Sequence, residues 1–172
     1  MRLLTPIAVP VLASLLAAAA PAAPSEGAPP LPPARKVPGI TAPDTHPGGC
    51  VDCHVRYPER KADERLSVLM AGWRTKVGPE LLAKSQAASP PGMKLKGKHP
   101  PLSAAKDVPA SCLRCHSPGS KSAPPFAALV HAIHLTGGEA NHFLTVFQGE
   151  CTLCHKLDAA TGTWRMPSGP EK

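Results

Sequence analysis

Aromatic side chains are nearly missing from this 172-residue chain, which has one Tyr, two Trp and three Phe. Set beside 23 prolines, that is poor material for a conventional hydrophobic core. Acidic residues are also few, 12 against 19 basic ones, leaving a formal net charge of +7. No base-stacking aromatics accompany the lysines, so the positive balance does not point to nucleic acid. The apolar stretch Ile7–Ala20, interrupted by Pro10, is too short for a membrane span. No stable membrane insertion is therefore expected. Cysteine does not occur outside three short motifs.

Those motifs are the main content of the sequence. Cys50-Val51-Asp52-Cys53-His54, Cys112-Leu113-Arg114-Cys115-His116 and Cys151-Thr152-Leu153-Cys154-His155 repeat one pattern and use all six cysteines. A Cys-x-x-Cys pair followed directly by His is the attachment pattern of c-type haem. Two thiols one helical turn apart add to the two vinyl groups of one porphyrin, and the next imidazole points at the iron. A thioredoxin-like pair, a zinc ribbon or three disulfides could use the same cysteines. None of these calls for His after every second cysteine, and the βαβ context of thioredoxin is missing. The expectation is three haem c groups. Their thioether bonds fall at Cys50, Cys53, Cys112, Cys115, Cys151 and Cys154, and their proximal iron ligands are His54, His116 and His155.

The N-terminus reads as an export signal over residues 1–22. Arg2 gives a positive start, the apolar stretch follows, and Ala20-Pro21-Ala22 supplies the small-x-small cleavage pattern. Haem is attached covalently outside the bacterial cytoplasm, so export and the motifs agree on a periplasmic or further exported location. Residues 23–47 are rich in Pro, Ala and Gly and are expected to be a disordered, extended linker. It is either a spacer toward a partner or a leader with no further role. Residues 48–172 are the expected haem-bearing domain.

Three porphyrins would take the place of the missing core. The fold expected is mainly α and loop-rich, with short helices wrapped around three covalent haems and little or no β-sheet. Without haem such a chain should be largely unfolded. Helical spacing of Leu66, Leu69, Met70 and Trp73 predicts one helix, and Pro79 at a first turn opens a second. Phe126–Leu135 reads as a third, started after Pro124-Pro125 and stopped by Gly137-Gly138.

Each iron needs a second axial ligand. Eight histidines minus the three in the motifs leave His46, His99, His131, His134 and His142, with Met70, Met93 and Met166 in reserve. That supply favours bis-histidine coordination throughout. His131 and His134 lie three apart on one helix face, with Cβ atoms about 5–6 Å apart. Such neighbours cannot take opposite faces of one iron, so as ligands they must serve two different haems and hold them close together. His99, the one further His between the first two motifs, is the third choice. His142 and His46 are the alternatives, His46 being poorly placed for the haem at Cys50.

With its three Cys-x-x-Cys-His motifs and the Val130-His131-Ala132-Ile133-His134 helix before the last of them, the chain resembles multihaem c-type cytochromes of bacterial periplasmic and extracellular respiration. The resemblance runs from about Cys112 to the C-terminus, and Cys50–His54 joins it by motif. It implies proximal roles for His54, His116 and His155 and suggests distal roles for His131 and His134. The chain departs from the family in carrying three motifs and in its long first interval. The function expected is electron transfer between other redox proteins, without catalysis and without a small-molecule substrate. The alternative is a haem enzyme or enzyme subunit with one open iron, reducing a small oxyanion or sulfur compound beside Lys94, Lys96 and Lys98. A filament subunit is a third possibility. The lysines Lys84, Lys94, Lys96, Lys98 and Lys106, followed by Arg114 and Lys121, form either a docking face for an acidic partner or a counterweight to the haem propionates.

Overall fold

The computed structural model describes residues 33–102 and 105–172. The expected signal, and the expected linker as far as residue 32, lie outside the described residues. One compact unit spans Arg35–Lys172.

The elements are short, as the proline content dictates. Helix α1 (Cys50–Cys53) is the first motif itself. A two-residue hairpin follows, β1 (Arg56–Tyr57) against β2 (Ala62–Asp63). Helix α2 is Leu66–Gly72 and α3 is Pro79–Ala87, with Pro79 in the first turn, where its missing N–H costs no bond. Helix α4 (Ala110–Leu113) carries Cys112 of the second motif. Helix α5 (Phe126–His134) starts directly after Pro125 and ends ahead of Gly137, whose φ of 100° suits only glycine. Helix α6 (His142–Thr145) and a single turn at Cys151–Leu153 lead into a second hairpin, β3 (Lys156–Asp158) against β4 (Thr163–Arg165). Among the described residues, six short helices and two small two-stranded sheets joined by loops make a loop-rich fold.

Among the described residues only Val51, Ala105, Val108, Phe126, Phe143 and Leu153 are buried hydrophobics. Val51, Ala105 and Val108 form one cluster, with Cys50, Leu66 and Leu102 packed against it. The C-terminal segment ties this region together. Val108 and Gly169 exchange both backbone hydrogen bonds, at 2.8 and 3.0 Å. Glu171 accepts from the Ser67 N–H at 2.8 Å, and Lys172 pairs with Asp52 inside the first motif.

The described half of the expected linker is not featureless. The compact unit begins at Arg35, ahead of the boundary expected at residue 48. Residues Val37–Ala42 close a turn in which the N–H groups of Ile40, Thr41 and Ala42 all donate to the Val37 carbonyl at 2.9–3.1 Å. Two ion pairs then fix the segment, Arg35 to Glu150 at 2.7 Å and Asp44 to Lys156 at 3.0 Å. Proline-rich composition signals that a segment builds no core of its own, and this one docks through charge instead.

Candidate functional site

The three motif histidines are held in one way at two of their three positions. His54 Nδ1 lies 3.0 Å from the Glu64 carbonyl oxygen, and His116 Nδ1 lies 2.7 Å from that of Pro124. A backbone carbonyl can only accept, so in each case Nδ1 carries the proton and Nε2 keeps its lone pair for a metal. Burial pushes the His54 imidazole below its usual pKa, which favours the neutral, ligating form.

Among the described residues each motif imidazole has one other histidine ring about 6 Å away. His54 faces His134 with ring centroids 6.2 Å apart and planes at 89°. His116 faces His99 at 6.2 Å, nearly parallel at 13°. His155 faces His131 at 6.0 Å and 50°. An iron bonded to two Nε2 atoms at about 2 Å each, with about 1 Å from nitrogen to ring centre, needs centroids about 6 Å apart. All three pairs have that spacing. By this spacing the residues present are compatible with three irons, each placed between two imidazoles.

The facing histidines arrive from two places, His99 from the first interval and His131 with His134 from α5. The Nδ1 atoms of His99 and His134 lie 2.8 Å from the Pro100 carbonyl oxygen and 3.0 Å from that of Val130. His134 is also shifted down, by burial first. The long interval after the first motif delivers His99 by folding back on α2, its N–H donating to the Trp73 carbonyl at 2.8 Å. His131 and His134 are brought in together by α5, which packs on α3. One side of that helix thus addresses the first motif and the third at once.

His46 and His142 face no motif histidine. Both lie edge-on to Phe147, at 6.4 and 6.3 Å, and His46 Nδ1 is 2.9 Å from the Thr45 hydroxyl. Composition could not separate these two from the other spare histidines, because the distinction is made by tertiary contacts of Phe147.

The cysteines converge as well. The neighbouring Cys154, and after it burial, push the Cys50 thiol far up, while Cys50 in turn draws Cys154 down to about 7 against the opposing effect of burial. Cys112 lies near enough to Cys50 to add to its shift. Cys50 also packs against the Val51 cluster. Among the described residues no three His, Cys, Asp or Glu side chains form an all-protein metal site, whereas a porphyrin iron takes only two protein donors.

Sequence reasoning missed Asn141. It is 8 % exposed and spans the end of α5 and the start of α6. An Asn ahead of a predicted helix is a capping signal, but the helix it precedes is only four residues long. Trp164 is 52 % exposed on β4, paired across the hairpin with Leu157.

Compared with known proteins, the chain matches no family model, no curated protein and no solved structure. No helix among the described residues is long and apolar enough to cross a membrane.

Proposed function

We propose that this chain is a tri-haem c-type cytochrome, an exported periplasmic electron carrier of bacterial respiration. The observation that carries the reading is the pairing. Every Cys-x-x-Cys-His histidine faces one other histidine at the spacing of a shared iron. When bound, each haem supplies one-electron exchange between ferric and ferrous iron. The chain's part is to fix and separate. Cys50 and Cys53, Cys112 and Cys115, and Cys151 and Cys154 anchor one group each. His54 with His134, His116 with His99, and His155 with His131 would each supply two imidazoles to one iron.

Two imidazoles for each iron would leave no coordination site for a substrate, which favours a carrier over an enzyme with an open iron. Bis-histidine ligation keeps potentials low compared with His–Met ligation. The partners proposed are other redox proteins, met through small transient interfaces.

The test is low-temperature EPR of the oxidised holo-protein, with haem and iron content measured on the same sample. Three haems per chain and only low-spin ferric signals are expected. A stoichiometric high-spin signal would replace the carrier with an enzyme, and a preparation that binds zinc or forms disulfides instead would remove the haem reading.

A further inference from the structure

Helix α5 carries two of the three facing histidines on nine residues, and a helix that short is not stable by itself. Its last turn leaves carbonyls without intrahelical partners. Leu135 N–H satisfies the His131 carbonyl at 2.8 Å. The Asn141 side chain takes the next ones. Its Nδ2 donates to Ile133 O and His134 O, both at 2.9 Å, and to Thr136 O at 2.7 Å. Two protons serve three acceptors, so at least one bond is shared. Lys84 of α3 reaches the same Thr136 carbonyl at 3.3 Å.

The other end of the same amide holds a different contact of the same ligand. Asn141 Oδ1 accepts from the Phe143 N–H at 3.0 Å. The Phe143 ring stands edge-on to the His134 imidazole, at 5.4 Å and 84°. One buried side chain thus grips the backbone of His134 and the backbone of the residue whose ring packs on that imidazole. A plain helix cap would need only one of these.

We propose that Asn141 is the positioning residue for His134, setting where this imidazole stands opposite His54. The role rests on the reading of His134 as an iron ligand. His131 lies one turn earlier and is held less directly. His99 is on another segment, bonded to Trp73 and Pro100, and serves as an internal control.

The test is Asn141→Asp, which keeps an acceptor for the Phe143 N–H and removes the amide donor from the three carbonyls. EPR of the oxidised holo-protein is recorded beside the unsubstituted protein, with three haems per chain verified in each. The signal of the perpendicular His54–His134 pair is expected to shift or give way to high-spin iron. The signal of the parallel His99–His116 pair, identified by its loss in His99→Ala, is expected to stay in place. A lower Tm with all low-spin signals unchanged would reduce Asn141 to a cap and overturn the proposal. Movement of all three signals together would overturn it too. Should Asn141→Asp fail to accumulate with three haems, Asn141→Ser is read in the same way, since its shorter side chain keeps a cap acceptor but withdraws from α5. If neither variant holds three haems, a positioning role separable from folding is overturned. If the unsubstituted protein lacks three low-spin haems, the ligand reading fails first, and that is seen before any variant is made.

Discussion

His131 and His134 stand three residues apart on one helix, yet they face different motif histidines, His155 and His54. Removing either should therefore open one iron and leave the other two closed. His134→Ala is expected to turn the iron at His54 high-spin, and His131→Ala the iron at His155. Each leaves two of three irons low-spin. His46→Ala and His142→Ala, whose rings touch Phe147 instead, should leave all three low-spin. Optical and EPR spectra of the four variants decide this, and a variant that opens two irons at once would mean the pairing is wrong.

The ring planes make a second expectation. The His99–His116 pair is nearly parallel, at 13°, while the His54–His134 pair is close to perpendicular, at 89°. Parallel imidazoles push on one iron d orbital and split the pair that holds the unpaired electron, giving a rhombic spectrum. Perpendicular imidazoles leave the two orbitals almost degenerate and give a single feature at large g. The oxidised protein should show both types side by side. Three identical rhombic signals would contradict the geometry at His54 and His134.

Much of this arrangement was legible in the residues. The Pro125 and Gly137 boundaries of α5, the first-turn Pro79 of α3 and the shared face of His131 and His134 follow from local rules that act within one or two turns. Which histidine meets which motif did not follow, because it depends on chain reversals such as His99 returning to the Trp73 carbonyl. The ordered stretch from Arg35 to Pro47 was hidden for a related reason. Its anchors, Glu150 and Lys156, lie far along the chain, and composition reports only what a segment can bury by itself. Asn141 was hidden because its four side-chain bonds join the end of α5 to the start of α6, and α6 is too short to be read from the sequence.

Lys156 is a nearly buried ammonium, its side chain 8 % exposed, bonded to Asp44 and to the Thr152 carbonyl at 2.6 Å. Burial alone pushes the Asp44 carboxyl up, but Lys156 and the His46 N–H outweigh it and hold the pKa below 3.8. A depressed carboxylate stabilises the fold above its ordinary pKa and loses that contribution as pH falls through the folded value. The segment before the first motif should therefore loosen from the third motif only below about pH 4. Asp44→Ala should produce the same loosening at neutral pH. The cost is on the order of 2 kcal/mol, less than for a fully buried pair, because Asp44 keeps part of its surface in water. Thermal unfolding of the holo-protein and limited proteolysis ahead of Cys50 would show it, and an unchanged Tm would mean the pair contributes little.

So few apolar side chains are buried that the fold should depend on its covalent groups. Val51 sits between Cys50 and Cys53, and Phe143 packs on His134, so the small buried sites are built around the motifs themselves. A chain made with all six cysteines changed to Ala should show little helix by far-UV circular dichroism and no cooperative melting. A cooperative transition in that variant would show that the polypeptide folds by itself.

Charge is distributed unevenly along the chain, and this bears on which iron meets a partner. The backbone bonds Val77 N–H to Gly97 O and His99 N–H to Trp73 O, both 2.8 Å, bring residues 73–77 beside residues 97–99. Arg74 and Lys76 thereby join Lys94, Lys96 and Lys98 around His99, and all five are exposed. Near the other two motifs, the carboxylates of Asp44, Asp52, Asp63 and Glu150 are engaged in ion pairs. This cluster of exposed positive charge lies around His99, where it would steer an acidic redox protein toward the proposed His99–His116 site. Changing Lys94, Lys96 and Lys98 together to Glu should slow second-order electron exchange with an acidic redox protein by about 10-fold or more at low salt. The difference should fade as ionic strength rises and the Debye length falls below about 10 Å. The spectra of all three irons should stay unchanged, because the ring of His99 is held by the Pro100 carbonyl and not by a lysine side chain. Stopped-flow rates across a salt series measure both effects, and a rate that ignores the substitutions at every ionic strength would place the entry point at another iron.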